Sequence, residues 1–388
     1  MDKICYVCSL ICEFKGEFIR SLELFEKKSG EAKIFEIIYV FPKASENLGF
    51  MNEFKQNHIV YFIENPETQK LKKLTSYIRS IFFGSNGTIK KQLKEILIKE
   101  KVTIIHSHFE EYDFICNELA KELSLRSFVH FHDALIDSYK TIKNPIIRYT
   151  KLKLIKLKYN KILKYSKLVA VSDYSYLQLC GFLKYKKNIR QVTNGVDFNY
   201  LGQNRTFNKD IKCFGSIVTR VPKGLYEVLN ATRELYKGNN DFQVKLICSK
   251  TTKSIISKDY SDLIKSNKVI VLDTFANIND FLKQINCFIS ASYFETFSYG
   301  IAEALGFGLP CIISDIPSTT WAGNSGNVCF FQNKNYTDLA EKMKMYLKEQ
   351  SDLNKCNNAR NFVVENYSAQ KFCRELKQLY LEIKKWKK

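Results

Sequence analysis

Residues 290–310 read SASYFETFSYGIAEALGFGLP, an order of residue types that indicates a strand, a loop, a helix and a second strand. The first strand ends at Ser290, and Pro310 opens the next one. The loop between them carries Glu295, and the segment with helical spacing that follows carries Glu303. In a parallel sheet such a loop lies at the carboxyl ends of the strands, where α/β proteins bind their ligands. We therefore predict an α/β fold with a ligand site at this edge.

The alternation of short apolar strands with amphipathic helices continues through the rest of the 388-residue chain. A polar stretch over 194–209 interrupts it once, and a second alternating series follows. Since a single hydrophobic core stops growing at about 250–300 residues, the chain has the length of two domains. We predict two doubly wound, Rossmann-like domains that face each other across a cleft, at 1–198 and 199–365. The helical segment 366–388 is expected to pack back on the first domain.

The start of the helix within 290–310 suits a phosphate group, because the first N–H groups of a helix have no acceptor within the helix. The four residues at this start are Ser298, Tyr299, Gly300 and Ile301. Gly300 lets a ligand approach the backbone closely, and Glu303 is placed to accept hydrogen bonds from a ribose diol. The alternatives are an exposed helix glutamate at 303 and, at 295, a loop carboxylate that favours the helix dipole.

The two glutamates are separated by seven residues, and the surrounding pattern S-x4-E-x-F-x2-G-x2-E-A-x3-G-x-P resembles glycosyltransferase family 4. The resemblance spans most of the chain and is most specific over 287–315 and 192–225. Three further motifs follow the family's order, namely Phe-His-Asp at His132, Asn-Gly-Val-Asp from Asn194, and Lys-Gly at Lys223. The resemblance implies the GT-B fold and a retaining transfer of sugar from a nucleotide donor.

The resemblance also implies a role for each matching residue. Glu303 would bind the ribose of the donor, while Glu295 and His132 would act as the catalytic pair that positions the transferred sugar. Lys223 would contact the donor diphosphate together with the backbone at Tyr299–Ile301. Gly215 and Asn194 are further candidates on the donor side. A lysine suits this position because negative charge builds on the leaving diphosphate.

The sequence departs from the family's pattern at two places. Relatives have an arginine after the glycine that corresponds to Gly215, whereas this chain has Ser216. Arg220 is the candidate replacement, and the alternative is a surface arginine. Relatives also open with a Gly-Gly pair after the first strand, for which only Gly16 remains as the candidate acceptor-side loop.

The function that the resemblance implies is transfer of a hexose-type sugar to a glycan, carried on a lipid, in the synthesis of cell-surface polysaccharide or glycoconjugate. The donor expected is a nucleotide diphosphate sugar, with UDP the commonest nucleotide. No cofactor and no metal is expected, since the histidine pairs at 106, 108 and at 130, 132 lack a nearby carboxylate or cysteine to complete a tetrahedral set. Two alternatives remain: a nucleotide-sugar epimerase, and a catalytically silent glycan-binding or partner subunit.

The net charge of +20 indicates a polyanionic partner. Residues 140–167 contribute ten Lys and Arg and no acidic residue, mixed with apolar side chains as in helices that lie on anionic membranes. The membrane face is predicted at Lys151, Lys153, Lys158 and Lys161. Nucleic acid is not an expected partner, because no RNP-like, helix-turn-helix or zinc-finger pattern occurs.

The apolar run 4–12 is flanked by charged residues and has no small-x-small cleavage site, which favours a buried strand over a signal peptide. The 12 cysteines are spread over the chain, as in proteins that keep their thiols reduced. We therefore expect a cytoplasmic protein bound peripherally at the inner face of the plasma membrane.

Overall fold

The computed structural model describes residues 1–9, 16–64, 87–199, 213–238, 240–272, 278–348 and 352–382. The chain forms two compact units. The first comprises Met1–Asn194 together with the chain from Phe372 onward, and the second comprises Gly195–Lys371.

The first unit is built on a seven-stranded sheet in which the paired strands are parallel. Its strands are β1 Asp2–Cys8, β2 Phe35–Pro42, β3 Val60–Ile63, β4 Ile104–His108, β5 Arg126–Phe131, β6 Lys167–Ala170 and β7 Ile189–Gln191. Their spatial order is β3-β2-β1-β4-β5-β6-β7. The described helices are Glu17–Glu31, Met51–Asn57, Thr88–Lys99, Asp113–Glu122, Leu135–Lys140, Pro145–Ile162 and Asp173–Phe182, with the later part of Ala369–Glu382.

Both faces of this sheet are buried, as expected for a parallel sheet covered by helices. On β1, Cys5 and Val7 pack into the core against Leu93 and Leu119 of two helices. Tyr6 points to the opposite face, because successive strand residues alternate. There it contacts Tyr380 of the last helix, whose hydroxyl lies 3.2 Å from its own.

The second unit has a six-stranded sheet, also parallel in every described pair. Its strands are β8 Cys213–Val218, β9 Gln243–Cys248, β10 Val269–Leu272, β11 Cys287–Ser290, β12 Cys311–Asp315 and β13 Val328–Gln332. The helices described in it are Leu225–Lys237, Lys250–Asp259, Ser261–Lys265, Ile278–Leu282, Tyr299–Gly306, Tyr336–Lys348 and Leu353–Tyr367. The strand order β10-β9-β8-β11-β12-β13 is the 3-2-1-4-5-6 order of a Rossmann fold, which confirms the predicted class.

The chain passes from the first unit to the second at Asn194–Gly195. Just after this point Val196 forms a bridge with Ser368 of the second unit. An added Cβ at Gly195 would lie 2.6 Å from the carbonyl oxygen of Ser368, so this crossing requires a glycine. The chain returns to the first unit at Phe372, six residues after the predicted position at 366.

Among the described helices, none combines the length and the apolar content needed to span a bilayer.

Candidate functional site

Two loops meet at the carboxyl ends of β8 and β11, which are neighbours in the second sheet. The backbone N–H of Tyr293 donates a 2.9 Å hydrogen bond to the carbonyl oxygen of Pro222. The hydroxyl of Tyr293 donates at 3.0 Å to Glu227, in the helix that follows the first loop. The two loops are therefore held together at the point where the strand order reverses, the usual ligand position in such sheets.

The charged centre of these loops is an ion pair between Lys223 and Glu295. The same carboxylate oxygen, Oε1, accepts a hydrogen bond from Lys223 Nζ and a 2.7 Å hydrogen bond from Ser292 Oγ. The backbone of Ser292 is in turn held by Ser314, whose hydroxyl donates to its carbonyl oxygen at 2.6 Å. A charge-assisted pair fixed in this way has a defined position at the sheet edge.

Gly224 is the residue that lets Lys223 occupy this place. Its φ of +79° lies in the left-handed region, where residues with a Cβ are disfavoured. An added Cβ would lie 2.1 Å from the carbonyl oxygen of Ala291, directly before the second loop. The Lys-Gly motif thus combines the cation of Lys223 with a glycine, Gly224, that lets the backbones of the two loops approach closely.

The helix that follows the second loop starts from an unusual backbone conformation. Ser298 has φ +74°, which is strained for a serine, and the helix Tyr299–Gly306 begins at the next residue. The loop before it is fixed by Trp321, whose Nε1–H donates to the carbonyl oxygen of Phe297 at 3.1 Å and whose ring stacks on Phe297. An added Cβ at Gly300 would lie 3.1 Å from the ring of Phe288, so this glycine also permits tight packing.

Glu303 lies in this helix with only 7% of its surface exposed. Glutamates are almost never buried to this extent without a partner or a function. The alternative of an exposed helix glutamate is therefore excluded.

The sequence departs from the family pattern near Gly215, Ser216 and Arg220, and these residues have different surroundings. Ser216 is buried in β8, and its hydroxyl donates to the carbonyl oxygen of Ile289 on β11 at 2.8 Å. Gly215 serves packing, because an added Cβ would lie 2.5 Å from the side chain of Ile285. Its contact with a donor stays a prediction. Arg220 is exposed at the start of the turn that leads to Lys223.

His132 belongs to the first unit and follows β5 directly. Its ring packs against those of Phe18 and Phe109, with ring centroids 4.4 and 4.8 Å away. Its Nε2 is 3.1 Å from Nδ1 of His108. Desolvation lowers the pKa of His132 to about 3, so the imidazole is neutral at physiological pH.

Two predicted residues of the first unit, Asn194 and Gly16, lie outside its helices and strands. Asn194 is buried, and its N–H donates to the carbonyl oxygen of Val171 at 2.9 Å. Gly16 caps the helix Glu17–Glu31 with an extended backbone, and an added Cβ there would meet no described atom within 4 Å. The structure therefore gives Gly16 no packing reason to be a glycine.

The helix Pro145–Ile162 corrects one prediction. Lys151, Lys153 and Lys161 are exposed, but Lys158 is buried, with 2% of its surface exposed. Its Nζ donates to the carbonyl oxygen of Glu110 at 2.8 Å and pairs with the carboxylate of the same residue. Lys158 faces the protein and does not belong to the membrane face.

The exposed face of this helix carries large apolar residues beside its lysines. The exposed apolar side chains are Ile146, Ile147, Tyr149 and Leu157, of which Ile146 is 74% exposed. The Nζ of Lys153 lies 5.7 Å from the ring centroid of Tyr149, so apolar and cationic groups are adjacent.

Sequence reasoning missed Ser292 as a supporting residue. Its spacing of three before Glu295 is a signal that could have identified it, since such pairs often share a hydrogen bond in a turn. The pairing of Glu295 with Lys223 has no such local signal, because 72 positions separate them.

Comparison with known proteins finds a family match within the second unit. Residues 208–349 match the family model for Glycosyl transferases group 1. The chain is 21% identical over 318 residues to N-acetyl-alpha-D-glucosaminyl L-malate synthase of Bacillus anthracis, covering 75% of this chain and 78% of that protein.

Solved structures share the fold over the full length. A glycosyltransferase from Rickettsia africae has a TM-score of 0.75 at 17% identity, with 100% of this chain and 99% of that chain covered. The Anabaena protein HepE, solved in complex with UDP-glucose, has a TM-score of 0.74 at 14% identity, with 98% and 99% covered.

Proposed function

We propose that this chain, which has the GT-B fold and matches the family model for Glycosyl transferases group 1 over residues 208–349, is a retaining hexosyltransferase. It takes a sugar from a nucleotide diphosphate donor of the UDP class and transfers it to a glycan acceptor carried on a lipid. The observation that supports this most is the Lys223–Glu295 pair, in the loops that precede the helix carrying the buried Glu303.

The donor is held by groups of the second unit. Glu303 accepts hydrogen bonds from the two ribose hydroxyls. The backbone N–H groups at Ser298–Ile301 donate hydrogen bonds to the diphosphate, at the positive end of the helix dipole. Lys223 gives up its contact with Glu295 and binds a diphosphate oxygen instead. Arg220, exposed three residues before it, supplies the second cation that Ser216 cannot. The complex of HepE with UDP-glucose supports the choice of nucleotide.

The reaction breaks the bond between the anomeric carbon and the diphosphate oxygen and forms a bond from the same carbon to the acceptor oxygen. Lys223 and the helix start stabilise the charge that builds on the departing diphosphate. The acceptor proton passes to that diphosphate, so attack occurs on the face from which it departs and the configuration is retained. Glu295 and His132 contact the sugar hydroxyls and fix its orientation. No metal or other cofactor takes part in the transfer.

The acceptor is bound by the first unit, with Gly16 in the loop that approaches it. We propose that the exposed face at Lys151, Lys153 and Lys161, with Ile146 and Tyr149, rests on an anionic membrane. Apolar side chains beside lysines suit the interface between headgroups and acyl chains. A cytoplasmic enzyme bound in this way would reach acceptors anchored at the inner face of the plasma membrane.

The test is nucleotide release from UDP-, GDP- and ADP-hexoses, with analysis of the product by NMR. Three acceptors are compared: a lipid-linked glycan, the same glycan without lipid, and L-malate, which appears in the name of the Bacillus anthracis relative. The expected result is UDP release that depends on the lipid-linked glycan and a product with the donor's anomeric configuration.

Each other outcome contradicts one part of the proposal. An altered sugar without acceptor indicates an epimerase, and an inverted product refutes retention. Transfer to malate alone refutes the glycan acceptor. No turnover with any donor by the folded protein indicates a silent subunit.

A further inference from the structure

Three histidines of the first unit converge in a buried place that the proposed transfer does not use. They are His106 and His108 on β4 and His130 on β5. Their exposed fractions are between 0 and 1%, and one ring nitrogen of each lies within 4.8 Å of the other two. Since strand residues two apart share a face and His108 is the register partner of His130, the sheet itself brings the three rings together.

Most ring nitrogens of these histidines have no hydrogen-bond partner among the described residues. Those without a partner are Nε2 of His106, Nε2 of His108 and both ring nitrogens of His130. A buried polar atom without a partner costs about 1–3 kcal/mol. Four such atoms in one cluster of three rings are therefore unusual for a site that is only structural.

The neighbours of the cluster allow two of the rings to carry a lone pair on Nε2. The hydroxyl of Tyr380 donates to Tyr6 and lies 2.5 Å from Nδ1 of His106, where it can accept from Nδ1–H. A neutral imidazole with its proton on Nδ1 has a lone pair on Nε2. Nδ1 of His108 contacts His132 at 3.1 Å, and a proton on that nitrogen leaves Nε2 of His108 as the second lone pair.

From this convergence we propose that His106, His108 and His130 bind one divalent transition metal ion of the zinc type through their ring nitrogens. Imidazole is a preferred ligand of Zn²⁺, and three histidines with an open fourth position form a known kind of zinc site. Zn–N bonds of about 2.0–2.1 Å in tetrahedral geometry place the nitrogens about 3.3 Å apart, so separations of up to 4.8 Å must shorten by up to about 1.5 Å. The hydroxyl of Tyr380 is the outer partner that orients a metal-binding histidine.

The charge state of the rings agrees with this assignment. Desolvation lowers the pKa of His106, His108 and His130 well below the ordinary value, so the rings are neutral, as metal ligands must be. The sequence predicted no metal because neither histidine pair had a carboxylate or cysteine to complete its set. The proposal revises that expectation for this place only and does not depend on the transferase activity.

The test measures metal content and not activity. The untagged full-length protein is stripped with EDTA, loaded with Zn²⁺ or Co²⁺, and freed from excess metal by gel filtration. The wild type is expected to retain about one ion per chain, with the visible bands of a tetrahedral cobalt site and a higher Tm than the stripped protein.

Two variants and one control complete the design. The double variant H106F/H130F replaces two of the three proposed ligands by apolar rings of similar size and should retain less than about 0.1 ion. Y380F keeps the packing but removes the outer hydrogen bond, so its affinity for metal should fall about 10–100-fold. His58→Gln leaves the cluster intact and should bind like the wild type. Retention of no metal by the folded wild type, or equal retention by H106F/H130F, would overturn the proposal.

Discussion

Lys223 and Glu295 are joined by a hydrogen bond in the second unit although 72 positions separate them in the chain. Lys223 is placed by the turn before Gly224, and Glu295 by a loop that Ser292 and Ser314 fix. In this arrangement each charge compensates the other. A diphosphate that binds here must compete with Glu295 for the ammonium group, so the two residues should affect donor binding in opposite directions.

We expect Lys223→Gln to weaken UDP binding about 10–100-fold, because one charge-assisted hydrogen bond contributes about 1.5–3 kcal/mol. Glu295→Gln should leave UDP binding equal or a few-fold tighter, since it frees the lysine, while it lowers kcat. Titration calorimetry with UDP and steady-state kinetics separate the two effects. Lys237→Gln, at an exposed lysine of the next helix, is the matched control. Parallel weakening of UDP binding by both site variants would contradict the exchange of partners.

Glu303→Ala should abolish measurable UDP and GDP binding, because the ribose loses its acceptor. Since Glu303 is buried, the isosteric Glu303→Gln is the second variant, and we expect it to weaken UDP binding at least about tenfold. Circular dichroism checks that both variants fold. Glu341→Ala removes an exposed helix glutamate of the same unit and should bind UDP normally. Unchanged affinity in folded Glu303→Gln would refute the ribose role.

The parts of the site that are local in sequence could be predicted from the sequence. The strand, loop and helix over 290–310 follow from residue order, whereas the ribose role of Glu303 stays a prediction. Contacts between distant segments could not be predicted, because they depend on which strands pair. The convergence of His106, His108 and His130 required the register of β4 with β5.

Lys158 shows that prediction from sequence has the same limit even within one helix. It lies three residues after Ile155 and four before Ile162, both buried, so helical spacing places it beside the apolar stripe. Its partner Glu110 lies 48 positions away, and nothing in the local pattern indicates it. A lysine in a basic helix was therefore assigned to the wrong face.

Replacing Lys151, Lys153 and Lys161 together by Ser should reduce pelleting with anionic vesicles, since each exposed lysine near such a surface contributes about 1 kcal/mol. Tm should stay within a few degrees of the wild type, because these side chains are exposed. A control triple variant of exposed lysines in the second unit, at Lys237, Lys253 and Lys258, should pellet normally. Equal pelleting by all proteins would contradict the proposal that this face binds a membrane.

Lys158→Ala should instead destabilise the first unit by about 2–3 kcal/mol, because it leaves a cavity and removes the partner of Glu110. Urea unfolding measures the change. Lys156→Ala, at an exposed lysine two positions earlier, should change the free energy of unfolding by less than about 0.5 kcal/mol. An equally small change for Lys158→Ala would show that the buried ion pair contributes little.

His58 should make the stability of the first unit dependent on pH. Burial alone would lower its pKa, but hydrogen bonds to Glu23 and Glu26 outweigh burial and raise the pKa to about 9. Its Nδ1 lies 2.7 Å from Glu26, which also accepts from Tyr39, and its Nε2 lies 3.1 Å from Glu23. Because the folded pKa is above the unfolded value of about 6.5, the stabilisation is complete below pH 6.5 and is lost as the pH rises through 9.

The measurement is urea unfolding of the wild type and His58→Gln at pH 6.5 and 9.5. The wild type should lose about 1–3 kcal/mol more than the variant between these two conditions. Taking the difference between the proteins cancels the titration of other groups, such as Lys167, whose pKa burial lowers to about 8. If both proteins lost the same free energy of unfolding, the protonated His58 would have no stabilising role, and its contacts with Glu23 and Glu26 would be those of a neutral ring.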